Sequence, residues 1–155
     1  TKINSLLLFV KKTKYVSLKY INMTTHISNN LKSHFLRLYQ MAFADDLFDQ
    51  LELKMLYDFA RIRGIEKEQL NYLLLNPSHV QAIPDTLDEK IEYLYDLAQM
   101  IWADNKVTQD EKITLQKYCK KFGFLDQNIE ELTDYLLKQA EDKKNLNEIL
   151  KELNS

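Results

Sequence analysis

The chain has 155 residues, 45% hydrophobic and 28% charged, with a formal net charge of -2 and a single cysteine, Cys119. That length suits one domain with a hydrophobic core, and the composition excludes a disordered chain. One cysteine excludes an internal disulfide framework and a cysteine-rich zinc site, and it fits a reducing cytoplasm.

The first 22 residues, TKINSLLLFVKKTKYVSLKYIN, hold five lysines and no acid, leaving 16 basic against 23 acidic residues, a charge of about -7, for the rest. An acidic domain is a poor general partner for nucleic acid. The apolar run LLLFV is too short to cross a membrane and lacks the longer core of a signal peptide. Residues 1–22 therefore read as a basic N-terminal extension, the only segment expected to touch a membrane surface. Met23 is a candidate native start, and 23–155 is expected to be a single domain.

From residue 30 the periodicity is helical. Leu31, Phe35, Leu38, Tyr39 and Ala42 keep the three-four spacing of one buried face, as do Leu87, Ile91, Leu94, Leu97, Ala98 and Ile101. Further helices are predicted over about 50–63, 66–75, 109–122, 127–140 and 146–153. No stretch alternates as a half-buried strand would, so the fold class is all-α, a compact bundle of about six to seven helices. Gly64 and Gly123 each follow a helical run and suit a left-handed C-terminal cap. Both prolines, Pro77 and Pro84, fall in NPSHVQAIP, a natural connection between two halves.

The two glycines are 59 residues apart, and sliding the sequence by that amount aligns Leu38 with Leu97, Gln40 with Gln99, Met41 with Met100 and Leu56 with Leu115. Asp45 then meets Asp104, Gln50 meets Gln109 and Glu52 meets Glu111. The pattern predicts two duplicated three-helix halves, about 30–76 and 86–140, each needing the other to bury its apolar face.

Between the first two helices of each half lies an acidic turn, FADDLFDQLE and WADNKVTQDE. Thr108 and Glu111 form a T-x-x-E capping box, and Asp49 and Glu52 stand in the same relation, so both glutamates have a structural role without metal. Asp45 and Asp104 follow a helix end, where a turn-forming hydrogen bond accounts for them. The competing reading groups Asp45, Asp49 and Glu52, or Asp104, Asp110 and Glu111, as hard oxygen donors for a divalent cation such as Ca²⁺ or Mg²⁺. This is no EF-hand: seven positions separate aspartate from glutamate, against about eleven in that loop.

The segments ADDLFDQLELKMLYDFARIRG and ADNKVTQDEKITLQKYCKKFG resemble the TerB-like family, named for a tellurite-resistance protein, over roughly residues 30–140. The resemblance implies a helical bundle of duplicated halves, an association with stress responses and larger assemblies, and metal binding proposed for the turn acids. Position by position it carries over Asp45, Glu52, Asp104 and Glu111. Many members have glycine after the turn aspartate, where this chain has Asp46 and Asn105.

No other constellation points to catalysis. E-x-x-H pairs and a phosphate-cradling glycine loop are absent, and His26, His34 and His79 are spaced as solvated or hydrogen-bonded residues rather than a ligand set. Cys119 aligns with Ala60 and reads as a small buried residue. Phe43 and Trp102, at equivalent helix ends, read as plugs of the core. Arg61, Arg63, Lys117, Lys120 and Lys121 read as a solvated face, with a phosphate or acidic-partner strip as the alternative. The expected function is a non-enzymatic interaction module whose partner is another protein; the alternative is a divalent-cation binding or sensing domain.

Overall fold

The periodic segments become seven helices and no strand among the described residues of a computed structural model, which are 24–43, 50–77 and 81–155. The basic extension, Met23, the turn acids Asp45 and Asp49, and His79 lie outside the described residues. The helices are α1 (Asn29–Ala42), α2 (Gln50–Ile62), α3 (Lys67–Leu75), α4 (Leu87–Ile101), α5 (Gln109–Lys121), α6 (Asp126–Glu141) and α7 (Leu146–Leu153). No helix among the described residues is long and apolar enough to cross a membrane.

Helix ends follow local chemistry. Ser28 Oγ accepts from the Leu31 amide at 3.1 Å, and Thr86 Oγ1 accepts from the Glu89 amide at 3.2 Å, each satisfying an orphan donor. At the far ends Gly64 (φ 70°) and Gly123 (φ 88°) adopt the left-handed conformation that the sequence predicted. Around them Ile65 N–H donates to Ala60 O at 2.9 Å and Phe124 N–H to Cys119 O at 3.2 Å, the paired closure of a Schellman cap.

The register is the same in both triplets: Ala42 and Ile101 end helices, α2 and α5 span Gln50–Ile62 and Gln109–Lys121, and Lys67 and Asp126 start helices, all offset by 59. Beyond that the triplets diverge. α3 has 9 residues and stops before Pro77, whereas α6 has 16 and turns into α7. Tyr95 Oη donates to Lys144 O at 2.6 Å, tying that last turn to α4.

α4 lies in the middle of the molecule, packed on α1, α5, α6 and α7. Nine of its 15 residues are buried, so it is an interior helix and not an amphipathic surface one. Its own Leu94 and Leu97 are fully buried, as are Phe35, Leu38, Leu56, Leu70, Leu115 and Leu136 of the other helices. Truncating any of these leucines to alanine is expected to cost about 2–5 kcal/mol. α1 meets α4 through residues 59 apart: Asn30 Nδ2 donates to Glu89 Oε2 at 3.2 Å, and His34 stacks on Tyr93 at 4.0 Å, with 5° between the ring planes.

Candidate functional site

In the second acidic turn the side chains serve the backbone. Asp104 Oδ1 accepts from the Lys106 amide at 3.0 Å, and Asn105 takes the left-handed conformation at φ 61°. Glu111 Oε2 accepts from the Thr108 amide at 2.7 Å, while Thr108 Oγ1 accepts from the Glu111 amide at 3.2 Å, completing the capping box. Asp110 lies in the first turn of α5, where its charge complements the helix dipole. Among the described residues no group of three or more His, Cys, Asp or Glu side chains could hold a metal ion. Of the acids in the first turn only Glu52, in the first turn of α2, is described.

The structure instead assembles a buried charge network from residues that the sequence did not connect. Asp96 Oδ2, on α4, faces His34 Nε2 at 2.8 Å and Arg63 Nη2 at 2.6 Å. Arg63 Nη2 also reaches Glu92 Oε1 at 2.6 Å. Arg63 therefore leaves the predicted basic strip: it follows α2 directly, and its side chain is only 12% exposed. Arg61 and Lys120 stay at the surface in local pairs with Asp58 and Asp126. Burial lowers the His34 pKa, outweighing the Asp96 hydrogen bond and charge that raise it. In the neutral ring, Nε2 carries the proton to Asp96 and Nδ1, which has no partner, is the bare nitrogen.

A second buried arginine has no such company. Arg37, on α1, is 4% exposed, and its contacts are the Ala82 carbonyl, which accepts from Nη2, and the Phe122 ring, 5.1 Å from Cζ to centroid. Its Nη1 has neither a hydrogen-bond partner nor solvent contact. Among the described residues no carboxylate acts on its charge, and burial lowers its pKa. Arg37 lines a cavity of about 50 Å³ together with Ser33, Gln40, Gln81, Tyr118 and Lys121. Lys121 Nζ donates to Gln81 Oε1 at the mouth. Ser33 Oγ accepts from the Ala82 amide at 2.9 Å, fixing the wall.

Two hollows adjoin on another face. One, of about 360 Å³, is lined by Asp85, Leu87, Lys90, Phe124 and Leu125 among others, and shares Asn128 with a second, of about 210 Å³, lined by Leu132, Tyr135 and Leu153. Leu87 is 47%, Leu125 63% and Leu153 39% exposed. Leu125 is the N-cap of α6 and makes no side-chain cap, although polar residues are preferred there. Offset by 59, the N-cap of α3 is Glu66, whose amide donates to Gln69 Oε1 at 2.7 Å.

Cys119 is fully buried on α5 with Sγ 3.8 Å from Thr133 Oγ1, and burial pushes its thiol up to about 11, which leaves it protonated at neutral pH. Trp102 packs against the core, but Phe43 is 41% exposed and leans on Tyr39 of its own helix, so only one of the two aromatics is a plug. No protein-family model, curated protein or solved structure matches the chain.

Proposed function

We propose that this chain is a non-enzymatic protein-interaction module of TerB-like form, built from two duplicated three-helix halves, and that its docking face is the double hollow around Leu125. The observation that carries the reading is an exposed leucine at an N-cap. Local propensity asks for Ser, Thr, Asp or Asn at that position, and a rule broken on the surface points to a demand from outside the fold. Leu87 and Leu153 extend the same apolar surface across two helices, with Lys90 and Asp85 beside it. Such a face fits an amphipathic segment of a partner protein, its apolar side chains over Leu87, Leu125 and Leu153.

The shared register of the helix ends and the matching glycine caps support the duplication. The setting that the resemblance suggests is stress response or metal resistance. A divalent cation at the acidic turns is the second reading; the second turn does not favour it, since oxygens of Asp104 and Glu111 already hold backbone amides.

Leu125→Asp separates docking from folding. Aspartate is a better N-cap than leucine, so the variant should unfold at the same or a slightly higher denaturant concentration. Quantitative cross-linking with a co-expressed partner, or sedimentation if the partner is a second copy, should then show complexes formed by the wild type and lost in the variant. Complexes unchanged by Leu125→Asp would contradict this docking face.

A further inference from the structure

The cavity between α1 and α5 belongs neither to the acidic turns nor to the apolar face. We propose that it is a binding site for a tetrahedral oxyanion, a phosphate or sulfate group held between Arg37 and Lys121. A buried cation is ordinarily paired, because an ion removed from water without a counter-charge is expensive. Arg63 obeys that rule with Asp96 and Glu92. Arg37 is also buried and faces a carbonyl and an aromatic ring, with no carboxylate beside it among the described residues. Its Nη1 donors are unused, and unmade hydrogen bonds on a charged group are the costly kind.

Space and direction supply the rest. A single water needs about 10–15 Å³, so a cavity of about 50 Å³ has room for several waters or one small oxyanion. Its polar walls come from separate parts of the chain: Ser33, Arg37 and Gln40 from α1, Gln81 from the connection before α4, and Tyr118 and Lys121 from α5. Hydrogen-bonding side chains drawn from three stretches of chain suit oxygens arranged tetrahedrally better than the two coplanar oxygens of a carboxylate. Two cations suit a doubly charged ion. Gln40, Gln81 and Lys121 are exposed at the rim, so the site has an entrance.

The test is an NMR titration of the full chain with inorganic phosphate, replaced against chloride at constant ionic strength, following backbone amides and the arginine side-chain Nε–H signals. Saturable shifts centred on Ser33, Arg37, Gln81, Tyr118 and Lys121 are expected. Lys121→Gln, a change at an exposed rim residue that should not disturb folding, should weaken binding by about tenfold. Lys117→Gln, outside the cavity, should change nothing. Phosphoserine distinguishes a phosphoryl group on a larger molecule from the free ion, and saturation by either at these residues supports the site. Absence of saturable shifts with both, or shifts indifferent to Lys121→Gln, would overturn it. Acetate binding as tightly as phosphate would overturn the tetrahedral assignment.

Discussion

Arg63 and Arg37 both lie in the first half of the chain, each meeting a residue of the second, and show two ways of burying a cation. Shifting Arg37 by 59 residues gives Asp96, and shifting Arg63 gives Phe122. The same pair of positions therefore holds Arg63 against Asp96 on one side and Phe122 against Arg37 on the other. On the first side the cation sits just after the second helix of its triplet and the acid on the central helix. On the second the cation is on the first helix and its partner is a ring. The change leaves a charge without an acid beside the cavity that Lys121 rims. At Arg63 the buried charge is met by two carboxylates, and at Arg37 by a carbonyl and a ring.

Deleting the shared acid should give the largest effect. Asp96→Ala leaves Arg63 without its buried carboxylate and His34 without its hydrogen bond, and should cost about 3–5 kcal/mol in urea unfolding. Neutralising each arginine in turn sharpens the contrast. Arg63→Met should destabilise by roughly 3 kcal/mol, whereas Arg37→Met, which strands no carboxylate, should fall within about 1 kcal/mol of wild type. Equal losses would erase the distinction.

The central network should also respond to pH. Because burial holds the folded-state pKa of His34 below its ordinary 6.5, the unfolded chain binds more protons in the window just below 6.5. The stability contributed by neutral His34 is fully present above that value and is lost as pH falls through the folded pKa. Denaturant midpoints measured from pH 7 downward should decline, and His34→Gln should flatten that decline. The smallest effect belongs to the second acidic turn: Thr108→Ala should cost about 0.5–2 kcal/mol by thermal unfolding, with or without added Ca²⁺ or Mg²⁺.

What the sequence revealed follows from what is local. Helix periodicity, the left-handed glycines and the Thr108–Glu111 box depend on neighbours within a few positions, and the structure reproduces them. The predicted helices match the observed ones to within a residue at nearly every end. Arg63 was misplaced because its partners lie 29 and 33 residues away. Residue type alone put it on a solvated face, and only the packing of α2 on α4 turns it inward. His34 is a similar case, its partner 62 residues distant. The Arg37 cavity joins three separate stretches, and its defining feature is a missing carboxylate, which no sequence pattern advertises. Lys121 was noticed as part of a basic strip, but its connection to Arg37 needed the packing of α1 against the second half.

Whether Arg37 marks a place for an oxyanion is decided by thermal unfolding of wild type and Arg37→Met in phosphate and in chloride at matched ionic strength. Phosphate stabilises many proteins by exclusion from their surfaces, and the variant measures that general effect. A ligand that binds the folded state adds its own stabilisation. A site at Arg37 gives a larger rise in Tm with phosphate for wild type than for Arg37→Met, saturating as phosphate increases. Equal, unsaturating rises in the two proteins would contradict it.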